Sequence, residues 1–268
     1  MKTIRPLATL ATLATVTAAA LLLAGCSTST LSVRSTPTPS SVALAGTIVV
    51  DAASSLTGAF NELGTDFQKL HPGTTITFNY GASSALATTI TAGAPVDVFA
   101  AASPATMKTV TDAKLARGAP VTFVTNTLEI AVPVGNPGKI TGLADFADAS
   151  RKIGICAPQV PCGSAAVAIF KLTGIKDKPD TLEPDVKTAL TQVASGDLDA
   201  ALVYHTDILA AGSTVTGINF PEASQAINDY SIAPLTTSKN VALSAAFVRY
   251  VLGPTGRSVL SKAGFVVK

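Results

Sequence analysis

From residue 47 to the C-terminus the chain alternates short apolar runs with amphipathic segments, and that alternation constrains the fold more than any other feature. Thr47, Ile48, Val49 and Val50 form a short apolar run that reads as a buried strand. Phe60, Leu63, Phe67 and Leu70 then recur at helical spacing, and His71, Pro72 and Gly73 stop them. Residues 74–80 alternate like a strand, and 83–91 read as a helix closed by Gly93, Ala94 and Pro95. Further strands are expected at 96–100, 128–134, 151–156, 200–203 and 231–235. Helices are expected at 163–172, at 184–194 with Pro184 in the favoured first position, at 241–252 and at 255–262. Strands alternating with helices throughout predict an α/β protein with mostly parallel sheets flanked by helices.

The N-terminal end has a different character. Lys2 and Arg5 precede an apolar run over 7–23, which closes on Leu23, Ala24, Gly25 and Cys26. A charged start, an apolar middle and small residues at the cut are the layout of a secretory signal, here 1–25. The ending resembles the lipobox of bacterial lipoproteins, which implies that Cys26 is acylated and anchors the chain to the outer face of the cell membrane. A transmembrane helix is the competing reading. The threonines in the run weigh against it, as does the lack of a second apolar run of spanning length. Residues 26–46 begin with that cysteine and continue as a Ser/Thr/Pro stretch without apolar periodicity, which predicts a flexible tether.

Removing 1–25 takes away Lys2 and Arg5 and leaves 17 basic against 17 acidic residues. A neutral balance gives no support for nucleic-acid binding, and net charge would not draw an anion in. Two cysteines remain, Cys156 and Cys162. In an exported protein their spacing reads as a disulfide, with two free thiols as the alternative. A metal pair is disfavoured by a chain with two histidines and no further cysteine, so no free metal cation is expected.

The junctions after the first two strands carry the chemistry. Residues 48–56 and 76–86 both read strand, small residues, Ser-Ser, helix. Ser55 and Ser83 are therefore expected at helix caps, each offering a hydroxyl beside the unpaired N–H groups of a first turn. Such a start, with the helix dipole behind it, binds an anion without Lys or Arg. Simple capping serines are the competing reading.

Several segments resemble, in order, one known family. DAASSLTGAF (51–60) is similar to the opening Ala-Ala-Ser-Leu-Thr motif of the periplasmic molybdate-binding components of ABC importers. YGASSALATTITAGAPVDVF (80–99) resembles their second signature, ending Gly-Ala-Pro-x-Asp-x-Phe. Further matches are VPCG (160–163), EPDV (183–186), ALVY (201–204), YVLGP (250–254) and Gly264-Phe265. The resemblance covers essentially 47–268.

It implies a two-lobed periplasmic-binding-protein fold of type II with the ligand cleft between lobes. Lobe one would be 47–125 with 231–268, and lobe two 126–230. It also implies a set of ligand contacts: Ser55 and Ser83 through hydroxyl and N–H, Cys162 and Val186 through N–H, and Tyr204 through its hydroxyl. The family often has alanine where Cys162 stands; because only the amide is used, the departure is tolerable. The implied ligand is molybdate or tungstate, with no cofactor, and no carboxylate is expected among the contacts. The implied partners are the permease and ATPase of a molybdate ABC importer, and the chain is expected to be a monomer. Sulfate or phosphate is the rival ligand. A serine hydrolase using Ser55 or Ser83 with His205 and Asp207 lacks a Gly-x-Ser-x-Gly elbow, and those two residues read more simply as a solvated helix start.

Overall fold

A computed structural model describes residues 44–268. The signal segment 1–25, Cys26 and the tether as far as residue 43 lie outside these residues. The chain begins with β1 (Gly46–Ala53), a 3-10 turn (Ser54–Leu56), α1 (Thr57–Leu70), β2 (Thr74–Gly81), α2 (Ser83–Thr91), β3 (Val98–Ala101) and α3 (Pro104–Asp112). Next come β4 (Val121–Asn126), β5 (Leu128–Pro133), β6 (Ile153–Cys156), α4 (Pro161–Thr173), β7 (Thr181–Glu183), α5 (Val186–Ser195) and β8 (Ala200–Tyr204). It closes with α6 (His205–Ala211), β9 (Val215–Ile218), β10 (Asn228–Pro234), α7 (Val241–Leu252), α8 (Pro254–Lys262) and β11 (Val266–Val267).

Two sheets organise these elements. The first has the order β11-β4-β10-β3-β1-β2 and the second β7-β6-β8-β5-β9. The expected α/β architecture is present, but both sheets are mixed. β1 runs parallel to β2 and β3, and β6 to β7 and β8. β10, β4 and β11 pair antiparallel on one side, as β5 does with β8 and β9. Strand direction differs from expectation because β10, β5 and their partners meet across long sequence separations that no local pattern encodes.

The helical stripe on α1 buries Phe60, Leu63 and Phe67 against the first sheet, whereas Leu70, at the last turn, is 62% exposed. Phe67 and Phe247 of α7 meet edge to face at 5.5 Å, and Phe60 meets Phe247 at 6.3 Å in the same manner, a favourable geometry for aromatic pairs. A second cluster, including Ile130, Ile153, Ile169 and Leu202, fills the other sheet. α4 and α5 end on Gly174 and Gly196 at φ of +72° and +82°, left-handed caps that glycine adopts without steric cost. Pro184 precedes α5 by two residues and does not open it, since Asp185 is the N-cap. Among the described residues no helix is long and apolar enough to cross a membrane.

Candidate functional site

The strand-to-helix junctions of both sheets face one small cavity. β1 delivers Ser54 and Ser55, β2 leads through Gly81 and Ala82 into Ser83, and β3 ends beside Ala102. The second sheet supplies Val160, Pro161 and Cys162 after β6, Asp185 and Val186 after β7, and Tyr204 at the end of β8. Ser55, Ser83, Cys162, Val186 and Tyr204, far apart in sequence, thus line the same space. Among the described residues no Lys or Arg lines it. Four helical starts do, and the first N–H groups of each have no acceptor within their own helix. Their partial positive charge and free donors suit an anion.

The serines differ from expectation in one respect: neither caps its helix. Ala82 occupies the N-cap of α2, and Ser83 lies one residue inside. Its Oγ accepts from the Ala102 N–H at 3.0 Å, which leaves the Ser83 hydrogen free to turn elsewhere. Ser55 sits in the 3-10 turn before α1, and its Oγ is 2.8 Å from the Tyr230 hydroxyl. Simple capping therefore explains neither hydroxyl.

Tyr204 is 2% exposed, and its hydroxyl makes no hydrogen bond of good geometry among the described residues, although Tyr230 and Asn228 lie beside it. Leaving a buried donor unpaired costs about 1–3 kcal/mol, so this oxygen is placed for something other than packing. Burial holds its phenol well above the usual tyrosine range, with Tyr230 and Asp207 pushing the same way. It is therefore neutral and can donate.

On α4, Pro161 takes the first position and Cys162 the second, and Cys162 is joined by a disulfide to Cys156 at the end of β6. A Cβ on Gly163 would collide with the Ala157 carbonyl, so glycine lets the helix start tuck against the loop from β6. On α5, Asp185 Oδ1 accepts from the N–H groups of Lys187 (2.8 Å) and Thr188 (3.2 Å), and the Val186 N–H precedes both. Asp185 itself lines the cavity, which corrects the expectation of a shell without carboxylates.

His205 opens α6 with a partly exposed side chain, but Asp207 is not solvated. Asp207 is fully buried, accepts from the Tyr204 N–H at 3.2 Å and pairs with Lys187 at 3.1 Å. Burial still raises its carboxyl above the usual range, against the lowering by Lys187. His205 Nδ1 lies 2.7 Å from the buried Glu129. Both are committed to partners other than Ser55 and Ser83, so no Ser-His-Asp relay is assembled. Among the described residues, no group of three or more His, Cys, Asp or Glu gathers as for a metal ion.

Sequence reasoning missed Asn228 and Tyr230. Asn228 Nδ2 donates to the Ala102 carbonyl at 3.0 Å and to the Pro161 carbonyl at 3.4 Å, linking the edges of the cavity that come from the two sheets. Asn228, Asp229 and Tyr230 are three consecutive polar residues in sequence, and nothing local says that Asn228 and Tyr230 are buried.

Comparison with known proteins gives the family. Residues 48–266 match the profile of the family described as bacterial extracellular solute-binding protein. The molybdate-binding protein ModA of Mycobacterium tuberculosis is 42% identical over 221 residues, covering 82% of this chain and 85% of that protein. The fold resembles the Azotobacter vinelandii periplasmic molybdate-binding protein (TM-score 0.72, 23% identity, 82% of this chain and 99% of that one). It equally resembles the sulfate-binding protein SubI of M. tuberculosis (TM-score 0.70, 16% identity, 82% and 86%), so the fold alone does not choose between anions. From the profile match and the 42% identity together, the chain belongs to the bacterial extracellular solute-binding protein family.

Proposed function

We propose that this protein captures molybdate or tungstate outside the cytoplasm and delivers it to the permease and ATPase of an ABC importer. The observation that carries the reading is the cavity ringed by helix starts and by the hydroxyl-bearing residues Ser54, Ser55, Ser83 and Tyr204, with no basic side chain among the described residues in its lining. Ser55 and Ser83 donate hydroxyl and backbone hydrogens to the anion, Cys162 and Val186 donate backbone N–H, and Tyr204 donates its hydroxyl. Five neutral groups of this kind can surround a tetrahedral dianion without net charge. The relative named molybdate-binding, at 42% identity, supports this anion over sulfate.

Residues 47–126 with 228–268, the strands of the first sheet and their helices, form one lobe and 127–227 the other; the return crossing falls three residues before the expected one because Asn228, Asp229 and Tyr230 pair with β4. Ser55 and Ser83 belong to the first, and Cys162, Val186 and Tyr204 to the second. A ligand that bonds to both sets favours the closed arrangement by differential binding, and the importer reads that arrangement. The protein works as a monomer that binds and releases without turnover, held to the outer membrane face through lipidated Cys26.

Selectivity follows from size and protonation. Sulfate is fully ionised, and its shorter bonds reach donors on both lobes less well, where hydrogen bonds weaken quickly with distance. Phosphate near neutral pH carries a proton that needs an acceptor. Calorimetric titration of the purified protein with molybdate, tungstate, sulfate and phosphate tests the reading. One molybdate or tungstate should bind per chain, with sulfate weaker and phosphate weakest. Displacement of molybdate by sulfate at comparable concentration would move the assignment to a sulfate binder.

A further inference from the structure

Tyr230 lies outside the cavity lining, yet its hydroxyl is 2.8 Å from Ser55 Oγ in a buried contact between residues 175 positions apart. We propose that Tyr230 is a positioning residue that fixes Ser55 as a hydrogen-bond donor and so sets the preference of the cavity for fully deprotonated oxyanions. The inference rests on the anion-binding reading given above.

A serine hydroxyl has one hydrogen and two lone pairs, so when free to rotate it can donate to an anion or accept from a protonated one. At Ser83 one of the two lone pairs is taken by the Ala102 N–H, which can only donate. At Ser55 the partner is another hydroxyl, and the direction depends on where the two hydrogens do best. With a dianion in the cavity, the Ser55 hydrogen makes a charge-assisted bond to it, the stronger of the two available. Tyr230 then donates to Ser55, and one lone pair of Ser55 is occupied.

The remaining lining offers little to a protonated ligand. Tyr204 brings a donor with no protein hydrogen bond of good geometry. The carboxylate of Asp185 already accepts from the Lys187 N–H and the Thr188 N–H at Oδ1, and from the Thr188 hydroxyl at Oδ2. A monohydrogen anion therefore meets donors where its own proton needs an acceptor. Removing the Tyr230 hydroxyl would free the second lone pair of Ser55 and let its hydroxyl turn, so that it accepts from a protonated ligand more readily. The ring itself is fully buried, meeting Phe265 at 5.4 Å and Tyr204 at 6.0 Å, so Tyr230→Phe keeps the packing and deletes one oxygen.

The test is a double-mutant cycle read by calorimetry near pH 7, with molybdate and with inorganic phosphate. The proteins are wild type, Tyr230→Phe, Ser55→Ala and the double variant. Tyr230→Phe should weaken molybdate about tenfold, the size of one hydrogen bond. It should weaken phosphate less, or tighten it, so that the ratio of the two affinities narrows. In the Ser55→Ala background, Tyr230→Phe should change molybdate affinity no further. Equal losses for both anions, or additive losses in the cycle, would overturn the inference while leaving molybdate capture intact. A wild-type protein that binds no oxyanion would overturn both.

Discussion

Each polar group around the cavity has a different history in the folded protein, and the differences predict different phenotypes. Ser83 holds the Ala102 N–H as well as facing the cavity, so Ser83→Ala should lower stability by about 1–3 kcal/mol and weaken molybdate binding together. Tyr204 makes no protein hydrogen bond of good geometry through its hydroxyl, so Tyr204→Phe should weaken binding about tenfold to a hundredfold and leave the unliganded protein as stable as before, or more so. Ser55→Ala should fall between these two. Thermal melts and titrations of the three variants check the order; three variants that titrate like wild type would show the site misplaced. At this scale the five residues that the resemblance implied line one cavity. Tyr230 escaped because its bond to Ser55 spans 175 positions, and Asp185 escaped because a capping carboxylate reads the same whether or not a cavity lies beside it.

Among the elements, α4 and α5 bring the second sheet's amides to the cavity, and each start is held by a separate device. The Cys156–Cys162 bond ties the α4 start to β6. A short loop of this kind contributes roughly 2 kcal/mol by restricting the unfolded chain. Replacing both cysteines by serine should lower unfolding free energy in urea by about that amount. It should also weaken molybdate binding, because the Cys162 amide is no longer tethered; unchanged affinity would show that the tether does not serve the site. At α5, Asp185→Asn keeps a good N-cap and removes a negative charge beside the cavity. Molybdate should then bind several-fold to about tenfold more tightly at unchanged stability, and a weaker titration would contradict that. Elements with a strong local pattern were legible: α2 over 83–91 and α7 over 241–252 fall where periodicity puts them. α3 was not, because Thr106, Met107 and Val110 are a thin apolar face in a threonine-rich helix. β4 was not, because half of its Val121–Asn126 pattern is polar and buried only by its neighbours β10 and β11.

For the molecule as a whole, the alternation of strands and helices was enough to give an α/β architecture, but strand direction was not legible. β10 pairs antiparallel with both β3 and β4, and β5 with β8 and β9, through contacts set only when distant segments meet. Both sheets still send their parallel strand ends to the same crevice, which is where open α/β sheets bind ligands. Export and anchoring belong to this scale as well. Cys26→Ala should move the protein from the membrane fraction to the soluble culture fraction, and wild-type protein found wholly soluble would contradict lipidation. On the proposed reading, one oxyanion sits among residues brought together from both sheets. The most direct measurement is a crystal structure of the tungstate-soaked protein with anomalous data at a tungsten absorption edge. The account predicts one tungsten peak per chain, with its oxygens in hydrogen-bond reach of Ser55, Ser83, Tyr204 and the amides of Cys162 and Val186. A peak elsewhere, or none in this cavity at saturating tungstate, would contradict it.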